Sequence, residues 1–105
     1  MTSKLSAKVL ALVSAACLMS SCSSSWQYID MSASECVRTT KLALRDADFT
    51  EGLQVVHDAD SVLVVGEHAG YQAKVTCQPN IRTVEVAGFD PDQVQFYKKS
   101  IIKRF

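Results

Sequence analysis

His57, Asp58 and Asp60 fall within the four residues "HDAD", and Glu67 and His68 follow in "GEH". All five are side-chain types that ligate metals or move protons. They belong to a longer acidic run, Asp46, Asp48, Glu51, Asp58, Asp60 and Glu67, with no Lys or Arg between Arg45 and Lys74. If residues 57 to 68 closed on themselves, the chain could be a small metal-binding protein or an enzyme. Two arguments weigh against that. Asp, Gly and His are also the ordinary content of exposed turns, and turns hold catalytic geometry poorly unless packed around a ligand. Serines are plentiful, but most precede residue 26, and Ser61 has no assigned base to orient it. No G-x-S-x-G, glycine-rich phosphate loop, H-E-x-x-H or EF-hand pattern occurs. The expectation is therefore no catalytic residue, no cofactor and no bound metal: a binding or structural module, with the 57–68 cluster as the alternative.

The cysteines carry more chemistry. There are four, Cys17, Cys22, Cys36 and Cys77. The chain opens with "MTSKLSAK", which has two lysines and no acid, continues with the largely apolar "VLALVSAACL", and reaches "MSSC" with small residues directly before Cys22. The apolar run is too short for an ordinary transmembrane helix, which needs ~20 residues, and is the size of a signal-peptide core.

"LMSSC", with Ser20 and Ser21 before Cys22 and Leu18 and Met19 behind them, resembles the lipobox of bacterial lipoproteins. The resemblance covers about the first 25 residues. It implies that the Cys22 thiol receives a diacylglyceryl group and that a dedicated peptidase cuts just before it. "VSAAC", ending at Cys17 with Ser14 in the leucine position, is a second and poorer match. The resemblance divides the chain into a leader, 1–21, a lipidated serine-rich tether, 22–29, and one domain, 30–105. It implies a membrane partner through the N-terminal lipid and a cell-envelope location. With Ser23 rather than Asp after the cysteine, that location is the outer membrane facing the periplasm in a cell with two membranes. The fold of the rest is not implied.

The elements that would position these residues follow from periodicity. Ser32 and Glu35 have capping-box spacing. Behind them Ala33, Cys36, Val37, Thr40, Ala43, Leu44 and Ala47 share one helical face, which predicts an amphipathic helix over 33–48, ended by "TEG". From Leu53 the period becomes two. "LQVV", "SVLVVGE", "YQAKVTC" and "IRTVEVA" read as short strands joined by "HDAD", "HAG" and "QPN", which predicts an antiparallel meander. Tyr71, Ala73, Val75 and Cys77 share one face, and Val84 and Val86 point inward. Asp90, Pro91 and Gln93 then open a second helix with Val94, Tyr97, Ile101 and Phe105 on one face. The fold class is α+β: a helix, a three- or four-stranded antiparallel meander and a helix, with both helices on one face of the sheet.

In this arrangement Cys36 and Cys77 both face inward, so a Cys36–Cys77 disulfide is expected in an oxidising envelope compartment. Two buried thiols and a zinc site remain as alternatives, the latter lacking the local spacing of zinc ligands. After residue 21 the chain has nine basic and eleven acidic residues. A nucleic-acid partner is not expected, because such binders show a strong basic excess. Lys98, Lys99, Lys103 and Arg104 crowd the end of the last helix, where cations complement the helix dipole; the same cluster could meet phosphate or an acidic partner. Trp26 and Tyr28 have no place in the expected core, and aromatics of this kind anchor interfaces. The expected partner is a protein or an envelope polymer.

Overall fold

The computed structural model describes residues 21–105. Apart from Ser21, the leader reading of 1–21 and the alternative at Cys17 lie outside these residues. In chain order the elements are β1 (Ser21–Tyr28), α1 (Ala33–Asp46), β2 (Glu51–His57), β3 (Val62–His68), β4 (Tyr71–Gln78), β5 (Ile81–Gly88) and α2 (Pro91–Lys103). They form a five-stranded sheet in the order β1-β5-β4-β3-β2 with every neighbouring pair antiparallel. The α+β class and both helices are as the periodicity requires. The strand number is not three or four but five. The additional strand comes from the serine-rich stretch read above as a tether, which pairs along its whole length with β5, from Ser21 opposite Gly88 to Tyr28 opposite Ile81.

Both helices pack on the same side of the sheet, α1 over β3 and β4, α2 over β5 and β1. Cys36 and Leu44 of α1, Val94 and Ile101 of α2, and Val64, Ala73, Val75, Val84 and Val86 of the strands close into one buried core. On the opposite face Val56, Leu63 and Val65 form a smaller cluster.

The ends of α1 show how local chemistry sets the packing. Ser32 Oγ accepts from the Glu35 amide at 3.2 Å and serves as the N-cap. The helix stops earlier than the expected residue 48. Asp48 adopts φ 67°, its amide donates to Arg45 O at 3.0 Å, and the Phe49 amide donates to Leu44 O at 2.8 Å. This is a Schellman closure, in which the residue after the left-handed position packs back on the helix. It turns Phe49 into the core, where it is fully buried. α2 begins on Asp90, whose Oδ1 accepts from the Asp92 amide at 2.9 Å and the Gln93 amide at 3.4 Å, with Pro91 at the first turn.

Two glycines permit close approach. A Cβ at Gly88 would clash with the edge of the Tyr71 ring, and one at Gly66 would strike the Phe49 carbonyl oxygen. The Cys36–Cys77 disulfide links α1 to β4, with Cα atoms 5.8 Å apart and both residues fully buried. Thr40 Oγ1 lies 3.7 Å from Cys77 Sγ, so the bridge has a polar neighbour in the core.

Candidate functional site

The residues that suggested metal or acid–base chemistry do not converge. His57 ends β2 opposite Val62, whereas His68 ends β3 opposite Tyr71, so the length of β3 separates the two imidazoles by about 20 Å. His57, Asp58 and Asp60 are exposed around one tight turn. Asp58 is occupied locally, its Oδ1 accepting from the Ala59 amide at 2.9 Å. Glu67 accepts from Gln72 Nε2 at 3.2 Å across the sheet. Among the described residues no three His, Cys, Asp or Glu side chains come together as a metal set. His68 has a packing role: its ring lies 5.6 Å from Phe49 and 5.7 Å from Tyr97 in edge-on contacts.

That contact belongs to an aromatic cluster at one end of the domain. Tyr71 lies 5.1 Å from Tyr97 and 5.0 Å from Phe89, and Phe96 lies 5.7 Å from Tyr97. Burial among these rings, reinforced by the Asp90 carboxylate, holds the Tyr71 phenol above its ordinary pKa. Tyr97 was expected here from helical periodicity and Tyr71 from the alternation of its strand. Phe49 sits in a non-periodic connection, and nothing short of the Schellman geometry would reveal its burial.

β1 arranges a second group of side chains. Ser23 points towards α2, and its hydroxyl accepts from Gln95 Nε2 at 2.8 Å and Lys98 Nζ at 2.7 Å. Strand alternation therefore places Cys22, Ser24, Trp26 and Tyr28 on the face opposite the helices. Trp26 and Tyr28 are 63% and 76% exposed, and their rings meet edge-on at 5.3 Å. Thr83 and Thr76 continue the Trp26 row inward towards Leu63 and Val56. Cys22 lies opposite Ala87, with its sulfur 3.8 Å from Glu85 Oε2, and in the full chain that sulfur is engaged in a disulfide. Glu85 also pairs with Lys74 at 3.1 Å.

Arg82, for which the sequence offered no role, is 3% exposed on the helix side of β5. Its Cζ stands 3.4 Å from the centre of the Phe105 ring, while Nε and Nη1 have no hydrogen-bond partner among the described residues. Desolvation lowers its pKa from the usual arginine value.

The outer surface of the helix layer is basic. Arg38, Lys41 and Arg45 follow one another at i, i+3 and i+7 on α1, and Lys99 and Lys103 are spaced i, i+4 on α2. Such like-charged pairs destabilise a helix by about 0.2–0.5 kcal/mol each. Among the described residues no ion pair offsets them. No protein-family model, no curated protein and no solved structure matches the chain.

Proposed function

We propose that this chain is a lipid-anchored protein of a bacterial envelope and that its domain binds a partner without performing catalysis. In the anchoring step the Cys22 thiolate sulfur attacks the glyceryl carbon of a membrane glycerophospholipid. A thioether forms, the carbon–oxygen bond to the phosphate headgroup breaks, and the thiol proton leaves with the released phosphate. Acylation of the chain during export, before the fold exists, would take the sulfur that the full chain otherwise uses in a disulfide. Several acyl chains, each contributing ~0.8 kcal/mol per buried methylene, anchor a domain durably.

The observation that carries the reading is the placement of Trp26 and Tyr28, exposed and in contact with each other on the strand and face that also hold Cys22. Exposed, mutually buttressed aromatics are typical anchors of a protein or polymer interface. Four to six residues of extended strand hold them roughly 13–20 Å from Cys22, clear of the lipid headgroups. The wide separation of His57 from His68 supports a non-catalytic module.

Mass spectrometry of the protein extracted from membranes tests the anchor: a chain beginning at an acylated Cys22 is expected, and a mature form with an unacylated Cys22 overturns it. Complementation of a deletion strain tests the surface. The Trp26→Ala/Tyr28→Ala variant should fold and fail to complement, whereas His57→Ala/His68→Ala should complement. The reverse pattern, from a folded double-histidine variant, would restore the enzyme or metal reading.

A further inference from the structure

The outer face of the helix layer combines charge with exposed apolar surface. On α1 a shallow hollow of about 450 Å³ is lined by Ser34, Val37, Arg38, Lys41, Leu42 and Arg45, with Leu42 48% exposed. On α2 a second hollow, of about 340 Å³, is lined by Phe96, Lys99, Ser100, Lys103 and Arg104, with Phe96 62% exposed. The two helices touch, so both hollows lie on one layer. Arg45 and Lys103 lie in the last turns of their helices, where the macrodipole favours a cation. Arg38, Lys41 and Lys99 lie outside those turns, and dipole compensation does not account for them. The two helices also carry the exposed acids Glu35, Asp46 and Asp92, fewer than their cations, while Asp58, Asp60 and Glu67 lie at the β2–β3 turn and on β3, so the helix layer keeps a basic excess.

We infer that this face docks an acidic, amphipathic segment of another protein, whose carboxylates meet the cations while its apolar side chains cover Leu42 and Phe96. Helix-in-groove recognition sets apolar anchors among charges, and each hollow here sets an exposed apolar side chain, Leu42 or Phe96, beside cations. A charged polymer would neutralise the cations but leave Leu42 in water. A bilayer fits less well, for a reason that rests on the anchor proposed above: Cys22 points from the side of the sheet opposite the helices, so the lipid leaves the domain away from this face.

The test uses the full chain in intact cells and a defined probe in solution. With a photoreactive residue at Leu42 or Phe96, adducts should map to an acidic protein segment, and the acyl state of Cys22 is read by mass from the same sample. In solution, a synthetic helical peptide with alternating Glu and Leu faces should bind the full-length protein more tightly than poly-glutamate of equal charge, by about tenfold or more. Raising salt should weaken that binding. The Leu42→Ser/Phe96→Ser variant should lose the preference, and Lys41→Glu/Lys99→Glu should lose binding, with thermal melting confirming that each variant folds. Equal binding of peptide and poly-glutamate, preferential binding to phosphatidylglycerol vesicles, lipid adducts at the photoreactive positions, or no binding would each overturn the inference. Acylated Cys22 with any of these outcomes refutes this docking face alone, whereas an unacylated Cys22 with acidic-segment adducts refutes only the anchor.

Discussion

Breaking the Cys36–Cys77 bridge should remove a large share of the domain's stability. The disulfide closes a loop with a sequence separation of 41 between α1 and β4. In the chain-entropy treatment, a loop of that length restricts the unfolded ensemble by ~4 kcal/mol at 25 °C. Stabilities of natural domains lie at about 5–15 kcal/mol, so the loss would be a sizeable fraction of the total. Both half-cystines are fully buried, and Thr40 is the polar side chain beside them. A Cys36→Ala/Cys77→Ala variant therefore adds a small packing loss to the entropic one. For a domain of this size 1 kcal/mol shifts Tm by about 4–8 °C, so a fall of roughly 15 °C or more is expected.

Urea denaturation of the oxidised protein and of the double alanine variant separates the two contributions. Because the uncrosslinked unfolded chain is more expanded, it should expose more surface, raising the m-value as the midpoint falls. An unchanged m-value with a stability loss below about 1 kcal/mol would refute the reasoning, since the crosslink would then be restricting little in the unfolded state.

Three further substitutions probe the packing. Gly88→Ala drives a methyl group against the edge of the Tyr71 ring and should destabilise the domain by about 1–3 kcal/mol, with the near-ultraviolet tyrosine signal altered. Asp48→Gly relieves a left-handed non-glycine residue at the end of α1 and should stabilise by up to about 1 kcal/mol, seen as a higher Tm. Arg82→Met keeps an unbranched apolar stem against Phe105 while removing two unpartnered buried donors, so denaturant titration should show stability unchanged or raised; a loss above ~2 kcal/mol would mean that the guanidinium is satisfied after all.

Much of this architecture was legible because burial imposes a period. Cys36, Thr40, Ala43 and Leu44 are buried on α1, Tyr71 to Cys77 alternate on β4, and Val94 and Ile101 anchor α2, each as spacing requires. The disulfide follows from two of those faces. The 57–68 residues, weighed above only as an alternative, are close along the chain but not in space, because β3 is extended and carries His57 and His68 to opposite ends of the strand. Phe49 was invisible because a Schellman closure, not a repeating pattern, delivers it to the core.

The serine stretch departs furthest from what its composition suggests, and its pairing bears on how an anchor at Cys22 would work. Serine has little intrinsic preference for strands, and composition alone reads "SCSSS" as a linker. The strand forms because β5 offers a continuous antiparallel partner from Ile81 to Gly88 and because α2 grips Ser23 through Gln95 and Lys98. Propensity is a weak prior when the partner edge and a packed helix are already present. As an edge strand, β1 carries short polar side chains from Ser21 to Ser25 and gathers its exposed apolar surface at Trp26 and Tyr28. A lipid on Cys22 would then be attached to the sheet itself rather than to a flexible leash. The bilayer would hold the domain with β1 rising from it and the helix layer on the far side of the sheet, so the direction in which each face looks would be set by strand pairing.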